Sequence, residues 1–408
     1  MERILGTVFI GTENIAHIID DLKSAFEKSG YRVITGGYFN KDSNPDHFEF
    51  ESKLYQTVPQ KLKSAVRQYG MQKIQKSILD TVLDQCDTFI FLWNSILPNS
   101  RDLEKLKKRS KKVIVCWVGD DVRWPFAAFQ EFSKYDMHYP DYYKYLQKTF
   151  LALNNKLEQI RNGEKYADMI FSRLDQAQLQ LRPYYRWHMM VDMSKYEYTH
   201  IQKKKPLIVH APSNRKVKGT EYVLETISLL KQNNFDFEFK LVENLKFEDA
   251  LDIYKASDIV IDQLFIPGSG KLATECLAYG KIVLSRMNYA NYPQNVGMNY
   301  PIVDVSPDTL YEILVNLITN VESRLKISRE SRQFVETTLD VRHFVDKIEQ
   351  FFTKSELQHE YVPTFFKDEF IPENYITAQI YNYWTKTVSN EAWYKQYVST
   401  KIRNGLKF

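Results

Sequence analysis

The sequence predicts an α/β protein made of two doubly wound domains. Three observations carry this. Buried-strand runs alternate with helical segments from residue 4 to residue 172. The same alternation restarts at Pro206 and continues to residue 337. Between them lies SKYEYTHIQKKKP, residues 194–206, a polar, charged and proline-ended stretch that reads as a linker. At 408 residues the chain is long enough for two cores.

The elements follow in order. Residues 4–11 (ILGTVFIG) form a strand that ends in glycine. Residues 14–30 are helical, with Ile15, Ile18, Ile19, Leu22 and Phe26 on one face. Residues 31–34 are the next strand. A helix over 58–86, a strand over 88–93, a charged helix over 101–112 and a buried strand over 113–118 continue the pattern. A longer helix over 140–165 and a strand over 168–172 close the first domain. The second domain opens with a strand over 206–210. It goes on with a helix over 222–232, a strand over 237–242 and a helix over 247–256. After residue 285 come a strand near Ile302 and helices over 308–319 and 322–337. The expected domains are 1–193 and 207–353, joined by 194–206. The aromatic-rich tail, 354–408, is expected to be helical and to pack back on the first domain.

The most telling stretch is DIVIDQLFIPGSGKLATECLAYGKIVLS, residues 258–285. It reads as strand, glycine loop, helix and strand. Gly280 sits where a left-handed helix cap is wanted. A glycine loop that opens a helix after a strand presents backbone N–H groups and the positive helix end to an anion. Gly268, Ser269, Gly270, Lys271 and Leu272 form that opening, and Glu275 lies one turn further in. Earlier in the same domain, HAPSNRKVKGTEYVLETI, residues 210–227, places Arg215, Lys216 and Lys218 in a polar loop before a helix near Thr220. Such cations are usually solvated. Beside the glycine loop they suit the two phosphates of one nucleotide diphosphate, arginine as a planar fork and lysine as a point charge.

Composition excludes several classes. A formal charge of +4 is too mild for a nucleic-acid binder. Cys86, Cys116 and Cys276 show no CxxC spacing and fall in apolar stretches, as buried thiols do. No signal-peptide core and no run of about 18 apolar residues is present, so the expected location is cytoplasmic. The basic run 101–112 reads as a solvated helix face, or as attraction to anionic lipid at the inner membrane face.

These motifs resemble a known family. The second domain is similar to the nucleotide-sugar half of GT-B glycosyltransferases, especially the retaining family 4 group. Arg215 and Lys218-Gly219 resemble the Arg…Lys-Gly segment that holds the donor diphosphate. The gap is two residues shorter, which leaves Lys216 as an alternative lysine. ECLAYGKIV, residues 275–283, is similar to the end of the family's Glu-x7-Glu motif. Glu275 then matches the glutamate that binds ribose, and Pro267 stands at the first glutamate's position. In the first domain, KKVIVCWVGDDVR, residues 111–123, resembles a strand ending in H-G-x-D-x-R. Gly119, Asp121 and Arg123 match, and Val118 stands at the histidine position.

The resemblance implies a GT-B fold, two Rossmann-like domains facing across a cleft. It implies a metal-independent glycosyltransferase, without a cofactor, that moves a sugar from a nucleotide-diphosphate donor to a hydroxyl with retention. The acceptor is expected to be a glycan or a lipid-linked glycan, as in surface polysaccharide synthesis. Arg215 and Lys218 would neutralise the leaving diphosphate, with the 268–270 amides as further donors. Asp120 and Asp121 read equally as turn caps and as carboxylates beside the acceptor. Gly11 and Thr12 read equally as a tight turn and as part of the acceptor wall, with Arg123 near them. His210 ends a strand at the expected cleft, whereas His138 and His188 lie in aromatic surroundings. Two other readings remain: a non-catalytic binding or scaffold subunit, suggested by Val118 and Pro267, and a nucleotide-sugar epimerase.

Overall fold

The computed structural model describes residues 5–37, 47–49, 63–119, 121–123, 155–173, 176–177, 179–199, 204–265, 268–287 and 300–354. Asp120, His138, Pro267 and the tail beyond Lys354 lie outside the described residues. The chain divides into two compact units. Residues 1–187 together with 349 onward form the first, and residues 188–348 the second.

The first unit begins with β1 (Thr7–Thr12), α1 (Ile18–Lys28), β2 (Arg32–Gly37) and β3 (His47–Glu49). It continues with α2 (Lys63–Gln85), β4 (Thr88–Leu92), α3 (Asp102–Lys108) and β5 (Lys112–Cys116). Residues 155–166 are helical, and β6 (Met169–Ser172) and β7 (Tyr185–Arg186) follow. The strands form one seven-stranded sheet in the order β3-β2-β1-β4-β5-β6-β7, with every described pairing parallel. Strands covered on both faces need apolar residues without alternation. FIFL in β4 and VIVC in β5 supply them and are buried throughout. The Phe9 ring lies 5.7 Å from Phe89 and 6.0 Å from Phe91, in the core under α2 and α3.

Two further features complete this unit. Glu164 is fully buried and accepts from Arg161 Nη1, from the Leu181 amide and, at 3.0 Å, from the Arg182 amide. Arg182 Nη1 in turn donates to the carbonyls of Glu164 at 2.8 Å and Ala167 at 2.6 Å. Residues from 349 onward return to the same unit. The Phe351 ring lies 6.3 Å from Tyr185, and Lys112 Nζ sits 4.4 Å above Phe352. Burial, then the Glu349 carboxylate, pushes the Tyr31 hydroxyl up to about 12.

The second unit contains β8 (Leu207–His210), a single helical turn α4 (Arg215–Lys218), α5 (Thr220–Gln232) and β9 (Glu238–Leu241). Next come α6 (Phe247–Ala256), β10 (Ile259–Gln263), α7 (Lys271–Ala278) and β11 (Ile282–Ser285). The last elements are β12 (Val303–Asp304), α8 (Leu310–Thr319), α9 (Val321–Phe334) and α10 (Val341–Lys354), with a π turn at Val335–Leu339; α10 belongs to this unit as far as Ile348, and its last residues, from Glu349, to the first. The sheet order is β12-β11-β10-β8-β9, with all pairings parallel. Gly280 has φ +78 and ends α7 as expected. Its N–H donates to Leu277 O, and the Lys281 N–H to Cys276 O, the paired bonds of a Schellman cap.

Two sequence expectations change. The 194–206 stretch has the composition of a linker, but Tyr196 is buried against Tyr279 in the second unit's core, and Thr199 bonds to the Tyr279 carbonyl. Arg215–Lys218, a polar loop by composition, is one helical turn. Asn214 Oδ1 caps it by accepting from the Lys216 and Val217 amides, and Gly219 at φ +75 ends it.

Candidate functional site

In an open parallel sheet, ligands bind at the carboxyl ends of the strands where the strand order reverses. In the second unit that point lies between β8 and β10. The α4 turn follows β8 and the glycine loop follows β10, so both predicted phosphate loops stand there. Lys218 links them: its Nζ donates to Asp262 Oδ1 at 2.6 Å and to Gln263 Oε1 at 2.9 Å.

The loop amides are used differently from the expectation. The Gly268 N–H donates to Arg286 O at 2.8 Å, and the Gly270 N–H to Asp262 Oδ2 at 3.2 Å. The Gly268 carbonyl accepts from Gln263 Nε2. Gly268 and Gly270 are therefore tied to β10 and to the residue after β11, and their amides are spent internally. Ser269 stands between them and is half-buried. Lys271 is the clearest correction. It is buried, and its Nζ donates to the Met190 carbonyl, so it serves the core instead of the donor. Leu272 packs against the apolar cluster behind α7. Glu275 is not an exposed helix charge: it is 3% exposed.

Arg215 is exposed and paired. Its guanidinium reaches Glu221 Oε1 at 3.0 Å and Glu243 Oε2 at 3.0 Å, and these carboxylates, the Glu221 bond first, hold its pKa above the ordinary arginine value. Lys216 is exposed on the same turn.

His210 belongs to the interior. Its Nδ1 lies 2.7 Å from the Ile261 carbonyl, which only accepts, so Nδ1 carries the proton. Nε2, 3.0 Å from Thr220 Oγ1, then accepts from that hydroxyl. Burial holds the ring below its ordinary pKa. Because the folded value lies below the unfolded one, near 6.5, the contribution to stability is whole above about pH 6.5 and is lost as pH falls. His210→Gln should flatten the fall in thermal stability of the second unit between about pH 7 and pH 5, read by circular dichroism. An unchanged pH profile would assign the acid sensitivity elsewhere.

In the first unit, the strand order reverses between β1 and β4. Gly11 and Thr12 end β1. A Cβ at Gly11 would fall 2.4 Å from Gly36 O, so glycine is needed for the close approach of β1 and β2. Thr12 is buried and its hydroxyl donates to Asn94 O at 2.9 Å. Glu13, which no sequence motif marks, follows directly. Its carboxylate is half-buried, 3.5 Å from Asn94 Nδ2, and burial holds its pKa above the usual range. Its place just beyond the first strand is the signal that points to it. Asp121 follows β5, two strands away in the sheet order. It is buried and accepts from the Val118 amide at 3.0 Å and the Gly119 amide at 2.7 Å, as a turn-closing carboxylate does. Arg123 is half-buried next to it, its amide bonded to the Gly119 carbonyl.

Several cations of the basic run are paired with carboxylates. Arg101 pairs with Glu158, Lys105 with Asp80, Lys107 with Asp168 and Lys108 with Glu104. Among the described residues no helix is long and apolar enough to cross a membrane. Among them, too, no three His, Cys, Asp or Glu side chains are grouped to hold a metal ion.

No family model matches the chain, and no curated protein matches it. Solved structures do. Sucrose-phosphate synthase from Thermosynechococcus elongatus aligns with a TM-score of 0.53 at 10% identity, covering 86% of this chain and 99% of its own. A Listeria monocytogenes protein assigned as a UDP-N-acetylglucosamine 2-epimerase aligns at 0.51 and 12% identity, covering 88% and 100%. Anabaena HepE in complex with UDP-glucose aligns at 0.50 and 11% identity, covering 85% and 99%. At such identities the likeness concerns the fold alone, and it agrees with the two sheets described above: the chain has the GT-B fold, with two Rossmann-like domains.

Proposed function

We propose that this protein is a GT-B glycosyltransferase that binds a nucleotide-diphosphate sugar on its second unit and transfers the sugar to a hydroxyl of a glycan or lipid-linked acceptor. One observation carries the reading. The two loops suited to phosphate lie on neighbouring strands at the reversal point of the second sheet, joined through Lys218. Arg215 and Lys218 stabilise the departing diphosphate, Glu275 takes the ribose, and these cations do the work of a metal. Retention of anomeric configuration and a role in surface polysaccharide synthesis follow from the family resemblance. Cytoplasmic location and peripheral membrane contact are parts of the same reading.

The test is incubation with a panel of nucleotide sugars, followed by detection of bound donor and released nucleoside diphosphate. Arg215→Ala should weaken donor binding about tenfold, the loss of one charge-assisted contact. If no donor binds or turns over, the reading is wrong. A scaffold subunit is the second reading, favoured because Arg215 and Lys218 already have carboxylate partners. Binding without turnover would select it, whereas an epimerised sugar still joined to its nucleotide would select epimerase chemistry.

A further inference from the structure

Asp262 has no counterpart among the phosphate- and ribose-binding positions of the family resemblance, yet it is the hub of the second unit's site. It is fully buried. Oδ1 accepts from Lys218 Nζ at 2.6 Å, and Oδ2 from the Gly270 N–H at 3.2 Å. The Ser285 hydroxyl lies 3.4 Å from Oδ2. An ammonium, the amide at the mouth of a helix and a hydroxyl are the groups that would hold a phosphate oxygen. A carboxylate oxygen is the same kind of ligand, anionic and acceptor-only.

The strand is shaped for this contact. Consecutive side chains on a regular strand point to opposite faces. Asp262 and Gln263 nevertheless both reach Lys218 Nζ, and the register of β10 against β11 shifts between Ile261 and Gln263. Such an irregularity re-aims a side chain at a strand end. Gly270 lies close to both groups: a Cβ there would stand 3.7 Å from Asp262 Oδ2 and 4.0 Å from Lys218 Nζ.

We propose that Asp262 sets the phosphate affinity of this site as an internal competitor: a diphosphate binds by displacing its carboxylate from Lys218 and from the Gly270 amide. The inference rests on the nucleotide-diphosphate reading. It makes two demands. Removing the negative charge tightens phosphate binding. Removing Lys218 alone leaves an uncompensated carboxylate facing the phosphate, so removing both restores affinity.

The experiment is calorimetric titration of UDP, GDP, ADP and inorganic pyrophosphate into the full chain and its variants. Asp262→Asn should bind at least one of the four probes tenfold or more tightly than the unaltered protein, with a steeper salt dependence. The double variant Lys218→Leu/Asp262→Leu should bind at least tenfold more tightly than Lys218→Leu alone. If Asp262→Asn does not fold, the comparison of double with single variant decides. Equal or weaker binding by folded Asp262→Asn, or equal binding by double and single variants, overturns the proposal. Nucleoside diphosphates that bind without this gain would leave the nucleotide reading standing and remove Asp262 from it. Pyrophosphate bound more tightly by Asp262→Asn, with no nucleoside diphosphate bound by any form, would keep the competitor and remove the nucleotide. No binding of any probe to any folded form overturns both.

Discussion

Replacing Glu164 by alanine is expected to cost the first unit about 3–5 kcal/mol, because it strands a buried guanidinium. Domain stabilities run to about 5–15 kcal/mol, so this is a large share. The carboxylate has no solvent to fall back on, and it serves three donors: Arg161 and the amides of Leu181 and Arg182. Alanine removes all three acceptor contacts at once. Glu164→Gln should cost less, since its carbonyl still accepts from the loop amides. The readout is specific to this unit. Residues 188–348 contain no tryptophan, while Trp93, Trp117 and Trp187 lie in the first unit. Tryptophan emission against urea therefore follows the first unit. A midpoint moved no further than by the exposed substitution Glu104→Ala would show that the Glu164 network does not hold the fold.

Glu275→Gln is expected to weaken nucleoside-diphosphate binding by about 10- to 150-fold, the worth of one charge-assisted hydrogen bond at about 1.5–3 kcal/mol. An ionised carboxylate can accept from both ribose hydroxyls, whereas a glutamine amide offers one acceptor oxygen. Glu275 stands on α7, almost entirely buried, between strands that are themselves buried. Its field is felt locally, since burial first and Glu275 second hold the Tyr279 hydroxyl above its ordinary value. The control is a 2′-deoxynucleoside diphosphate. The unaltered protein should prefer the ribose form, and Glu275→Gln should lose that preference. A variant that still discriminates would move ribose recognition to another residue.

The parts legible in the sequence are those governed by local rules. β10, α7 and β11 can be placed within a residue or so because apolar runs mark strands buried on both faces and Gly280 marks a left-handed cap. The break between β10 and α7 is legible for the same reason, since Gly268 and Gly270 interrupt the apolar run. The hidden parts depend on partners distant in the chain. Asp262 reads as a polar strand end until Lys218, 44 residues earlier, is brought beside it. Lys271 reads as a cation at a helix mouth until the Met190 carbonyl, 81 residues earlier, takes its ammonium inward. The α4 turn is locally encoded, with Asn214 as cap and Gly219 as terminator, but three cations in four residues suggest a solvated loop. The basic run 101–112 looks like a charged surface because its main carboxylate partners, Asp80, Glu158 and Asp168, come from other elements.

The return of residues 349–352 to the first unit has a consequence for biosynthesis. A ribosome delivers the chain from the N-terminus, and domains generally fold as units while it does so. The first unit cannot follow that order to completion. Tyr185 and Lys112 receive Phe351 and Phe352 only after the entire second unit has been translated. The later-made unit therefore has all its described residues before the earlier one, whose apolar surface is left open to chaperones or to misassociation for that interval.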